Sequence, residues 1–114
     1  MRIFIGPLAV ALLAGCASPS DLRAGSPTVS AVTKKTPKAY ALCVFPKWQD
    51  ARSEAAMSET QDGYRLLIAA SGQTDELLDI AAKGAGSSVR FYQRAAWLPG
   101  LGRAAVESAV KSCL

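Results

Sequence analysis

Apolar positions change their spacing repeatedly along this chain, and each change marks an expected element. Residues 3–13 are apolar except for Gly6-Pro7. From residue 17 to residue 38 Pro, Ser, Thr, Gly and Lys dominate and no period survives, which predicts a disordered tether. Thr36-Pro37 then reads as a helix N-cap followed by proline at the first helical position. Ala39 to Phe45 is apolar throughout, and Pro46, lacking a donor, is expected to kink or end that helix. Trp48 is expected to anchor the core.

From Ser53 the period becomes two. Glu54 to Thr60 reads as a modest strand, and Gln61-Asp62-Gly63 carries the Asp-Gly hairpin signal. Tyr64, Leu66, Ile68 and Ala70 share one face; Arg65, Leu67 and Ala69 take the other. After Ser71-Gly72-Gln73-Thr74, Leu78, Ile80 and Ala82 align on one face of a third strand. Beyond the glycine-rich Lys83-Gly84-Ala85-Gly86-Ser87, Val89, Phe91, Gln93 and Ala95 alternate with Arg90, Tyr92 and Arg94. Connections this short imply antiparallel neighbours. Past Trp97-Leu98-Pro99-Gly100, the recurrence of Leu101, Ala105, Ala109 and Cys113, with Val106 and Val110 beside them, predicts an amphipathic helix. Arg103, Glu107 and Lys111 fall on its opposite side, spaced for i,i+4 charge pairs. The expected fold is α+β: a four-stranded antiparallel meander with an N-terminal and a C-terminal helix on one face, in the order α-β-β-β-β-α.

The first apolar run is too short to span a bilayer, which takes about 20 helical residues. With Arg2 ahead of it, it fits a secretory signal peptide. Leu13-Ala14-Gly15-Cys16 resembles the lipobox of bacterial lipoproteins, in which the cysteine sulfur takes a diacylglyceryl group before cleavage. The thiolate is the nucleophile such alkylation needs, and the small residues let a peptidase approach the backbone. Acyl chains add about 0.8 kcal/mol of membrane affinity per buried CH₂, so two or three make a durable anchor. The resemblance implies lipidation at Cys16, and Ala17 in place of an aspartate implies an outer-membrane address with the domain in the periplasm. The expected division is 1–15 signal peptide, 16–38 lipidated cysteine and tether, and 39–114 folded domain.

With Cys16 lipidated, Cys43 and Cys113 remain as an even pair in an exported chain, where disulfides form and persist. The alternative is two buried free thiols. Cys43 near Lys47-Trp48, with a second cysteine close to the C-terminus, resembles small outer-membrane lipoproteins with one disulfide. Without Arg2, 12 basic and 9 acidic residues leave a charge of +3, spread without blocks. That argues against nucleic acid as a partner and allows a weak attraction to anionic surfaces.

The chain has no histidine, which removes Ser-His-Asp and Cys-His arrangements and imidazole proton transfer. Asp50, Glu54 and Glu59 show no spacing that sets two carboxylates around a cleft. Lys83 to Ser88 lacks the order of a phosphate-binding loop. Isolated thiols do not make a zinc knuckle. No catalytic residue, metal or cofactor is therefore expected. Arg90, Tyr92 and Arg94, with Arg65 as a neighbour, form the candidate binding face, since Arg and Tyr are the residues interfaces favour; the plainer reading is an edge strand kept soluble by charge. The expected function is a non-enzymatic, lipid-anchored binding or structural module whose partner is an envelope protein or peptidoglycan. The alternatives are an inhibitor of a wall-lytic enzyme such as lysozyme, and a carboxylate-dependent wall hydrolase.

Overall fold

Every strand signal in the second half of the chain is realised, and one further strand joins them. The computed structural model describes residues 17–114, so Cys16 and the segment before it lie outside the described residues. The elements are α1 (Pro19–Arg23), β1 (Val29–Thr33), α2 (Pro37–Ala51), β2 (Ala56–Glu59), β3 (Gly63–Ala70), β4 (Gln73–Lys83), β5 (Gly86–Gln93) and α3 (Arg103–Ser112). The sheet runs β1-β5-β4-β3-β2, with each neighbouring pair antiparallel.

The expected meander is thus correct for β2 to β5, but the sheet has five strands. The extra one lies inside the expected tether. Val29, Ala31 and Thr33 turn inward while Ser30 and Val32 face water, a five-residue alternation that gains its stability from pairing with β5. The tether also contains α1, closed by a capping box: Asp21 N–H donates to the Ser18 hydroxyl, and Ser18 N–H donates to the Asp21 carboxylate. Composition alone hid both elements, because each depends on the surface it packs against.

The Thr36 hydroxyl caps α2 by accepting from Ala39 N–H, with Pro37 opening the helix. Of the two expected effects of Pro46, a kink or an end, the end does not occur: α2 continues to Ala51. Pro46 shares the exposed side of the helix with Leu42, the residue whose carbonyl loses its donor, so water can replace the missing bond. The buried side carries Tyr40, Ala41, Val44 and Trp48. Tyr40 Oη donates to the Val110 carbonyl at 2.6 Å and Trp48 Nε1 to the Val106 carbonyl at 3.0 Å, riveting α2 to α3. Cys43 and Cys113 are disulfide-bonded, with Cα atoms 5.9 Å apart, and tie the middle of α2 to the end of α3.

Both helices cover the face bearing Leu66, Ile68, Leu78, Ile80, Val89 and Phe91. Trp48 meets Phe91 edge-on at 5.8 Å. In α3 the buried stripe is Val106, Ala109, Val110 and Cys113; Leu101 and Ala105 are exposed, and Arg103, expected to face solvent, is buried. Lys111 and Glu107 do form the expected i,i+4 pair at 2.8 Å. No described helix is long and apolar enough to cross a membrane.

Candidate binding face

Alternation sends the other half of the strand residues to the outer face, away from α2 and α3. The register arranges them in rows. Leu67, Leu77 and Tyr92 form an apolar row, covered by Leu22 of α1 and by Ala17. Tyr92, expected on the solvent face, is therefore buried: the tether's helix is its lid.

The next row reads Ser58, Arg65, Asp79, Arg90 and Ser30 across all five strands. Arg23, the last residue of α1, grips Asp79 with both arms of its guanidinium, Nε to Oδ2 at 2.6 Å and Nη2 to Oδ1 at 2.9 Å. Those hydrogen bonds raise the Arg23 pKa above its ordinary value. Three arginines thus surround one carboxylate, and Arg23 already occupies both of its oxygens. Arg90 is exposed, and Arg65 Nε is buried without a hydrogen-bond partner among the described residues. The row beyond contains Gly63, Ala81, Ser88 and Val32, so its floor is low. Gly63 and Gly86 are required at this end of the sheet. A Cβ on Gly63 would stand 1.8 Å from the Ile80 carbonyl oxygen, and one on Gly86 would stand 2.1 Å from that of Thr33.

The low floor forms an open trough along the β1-β5 side. One part, about 630 Å³, is bordered by Val32, Lys34, Lys83 and Ser87. The adjoining part, about 320 Å³, is bordered by Ser30, Val32, Lys83, Ser88 and Arg90. Such a trough offers Arg90 and two lysines over a floor of small residues and hydroxyls, and can accept an anionic group. Of the expected binding residues, Arg65 and Arg90 share one row here. Lys34, Lys83, Ser30 and Ser88 are not on the expected binding face, and Lys83 to Ser88 is weighed from the sequence only as a phosphate-binding loop. The run of small residues on the outer-face positions of β5 and β4 was the available signal for them.

Arg94 belongs to a different cluster, at the opposite end of β4. There the β3-β4 register skips Asp75: Ile68 pairs with Glu76 and Ala69 with Thr74. This bulge lets two successive acids meet cations on the helix side. Asp75 binds Arg94 at 2.7 Å and Arg52 at 3.5 Å. Glu76, fully buried, accepts from Arg103 Nε at 2.8 Å and from Gln93 Nε2 at 2.9 Å. Burial pushes the Glu76 carboxyl above the usual carboxylate range, with Gln93 and Arg103 pulling against it. Arg103 also donates to the carbonyls of Arg94, Ala95 and Leu98 at 2.6, 2.7 and 3.1 Å, which fixes the segment between β5 and α3. These acids are held by guanidinium groups and serve the fold.

Among the described residues no group of three or more His, Cys, Asp or Glu is placed to hold a metal ion. No family model, curated protein or solved structure matches this chain.

Proposed function

We propose that this chain is a lipid-anchored outer-membrane protein of the bacterial periplasm, attached through Cys16, whose folded domain is a non-enzymatic module binding the carboxylate groups of the wall polymer. One observation carries the binding assignment: Arg65 and Arg90 flank an Asp79 already neutralised by Arg23, beside a trough floored by small residues and rimmed by Lys34 and Lys83. Cationic groups over a low floor suit a polymer with spaced carboxylates, and the attraction falls as salt screens it. The lipid anchor rests on the Leu13 to Cys16 motif.

The test uses the full mature chain in detergent with purified peptidoglycan, and with solubilised envelope alongside. Arg90→Glu/Lys83→Glu reverses the trough's charge at exposed positions and leaves the core intact. Retention on peptidoglycan by wild type, weakened by salt and lost in the variant, is the expected result. Equal retention by both proteins moves the site off the trough. Capture of an envelope protein by wild type alone keeps the trough and changes its ligand.

A further inference from the structure

Trp97 is 81% exposed, Leu101 60% and Leu98 40%, three large apolar side chains on one short connection between β5 and α3. Their exposure is not the result of a loose loop. Arg103 holds the carbonyls of Ala95 and Leu98, Arg52 reaches the Leu101 carbonyl at 3.4 Å, and Leu98 N–H donates to Ala95 at 2.9 Å. Ala95 and Leu101 are held at φ of 47° and 56°, left-handed conformations that a side chain disfavours. A buried ion pair therefore maintains a strained connection whose apolar side chains face outward.

The described chain begins at the same end of the sheet. Thr74 N–H donates to the Ala17 carbonyl at 2.9 Å, and the neighbouring Asp75 carbonyl accepts from Arg94 N–H at 2.9 Å, three residues before Trp97. Ala17 packs on the outer face with Leu22, Leu77 and Tyr92, while Arg103 ties the carbonyls of the Trp97 connection to Glu76 on the core face. Cys16 precedes Ala17 in the sequence.

We propose that the Trp97-Leu98-Leu101 connection is a second membrane contact, inserting into the interface of the bilayer that the Cys16 lipid enters. The inference rests on the lipid-anchor reading. A tryptophan flanked by leucines suits the headgroup boundary, where its ring has both apolar and polar neighbours. Two contacts at one end of β4 set the domain upright. Nine residue steps of strand, about 30 Å, then separate Thr74 from Lys83, and the trough rim stands off the membrane by that distance.

The experiment reconstitutes the full lipidated chain in phosphatidylcholine/phosphatidylglycerol vesicles, with and without brominated acyl chains, after its intact mass has been measured. Trp48 is fully buried, so only Trp97 of the two tryptophans answers to its surroundings. Brominated lipid is expected to quench the Trp97 share of the emission, and aqueous iodide to remove little of it. Leu98→Ser/Leu101→Asn, at exposed positions, is expected to reverse both effects while the mass still shows acyl groups. Acylated protein whose Trp97 stays open to iodide overturns the second contact and leaves the anchor standing. Protection from iodide without quenching by brominated lipid also overturns it, since a protein then covers the loop. A mass without acyl groups overturns the anchor and the contact together.

Discussion

Arg103 Nε lies 2.8 Å from Glu76 Oε2, joining the first residue of α3 to a fully buried acid on the core face of β4. Removing one partner of a buried pair leaves the other without a counter-charge, at a cost of about 3–5 kcal/mol. Arg103→Ala is expected to lower the urea midpoint accordingly and to release the Trp97 connection. Replacing both residues by methionine is expected to cost much less than the sum of the single changes, which a double-mutant cycle measures.

The same acid sets a pH dependence. Burial raises the folded-state pKa of Glu76 above its ordinary 4.5, so between that value and its folded value the native state holds a proton that the unfolded state has lost. Stability from this group falls as pH rises through the window. Wild type is therefore expected to lose stability relative to Glu76→Gln as pH climbs from 4.5, a difference read from urea midpoints at several pH values. A gap independent of pH would contradict the assignment.

Two glycines separate steric need from conformational need. Gly63→Ala places a methyl 1.8 Å from the Ile80 carbonyl oxygen and is expected to cost about 3 kcal/mol, the upper end for ordinary single changes. Gly72→Ala meets open space at φ 76° in the β3-β4 turn, and is expected to cost only about 1–2 kcal/mol. Thermal or urea unfolding of the two variants ranks them.

Reducing the disulfide opens a closure of 70 residues between α2 and the end of α3. The chain-entropy model assigns such a loop about 4 kcal/mol. Cys43→Ala/Cys113→Ala is expected to shift the unfolding midpoint by that amount, and reductant to have no further effect on the variant.

The outer face depends on Leu22. Leu22→Ala withdraws the side chain that covers Leu77 and Tyr92, at a cost of about 2 kcal/mol. The expected readout is faster hydrogen exchange across residues 18–25 and earlier cleavage after Arg23 by trypsin, with β2 to β5 unchanged.

The strands β2 to β5, and the inward faces of β3 to β5, were legible because a period of two, interrupted by Asp-Gly and glycine-rich turns, has few other readings. The helix boundaries were partly legible: Thr36-Pro37 marks the start of α2, but Pro46 reads as a stop only while its solvent-facing position is unknown. The elements α1 and β1 are five residues each and owe their existence to Leu77, Tyr92 and β5, which no local pattern reveals. Arg103 looked like a surface partner for Glu107. Its true partner had left a trace, since Glu76 falls on the same strand parity as Leu78 and Ile80, and an acid on a core face calls for a buried cation. The candidate face was half legible: Arg65 and Arg90 share a row, while Tyr92 lies beneath α1 and Arg94 belongs to the Asp75 cluster.

The pairing of β1 with β5 has a consequence for the order of assembly. Val29 meets Phe91 and Thr33 meets Ser87, so the first described strand finds its partner in the last strand of the sheet, made after β2, β3 and β4. Until then β1 has no neighbour, and β5, once made, presents an open edge. Contacts this distant in sequence form slowly, because a long loop must close before they give anything back. The meander β2 to β5 can pair hairpin by hairpin as it emerges; β1 can close the sheet only at the end, and Lys34 takes its place beside Lys83 at that last step.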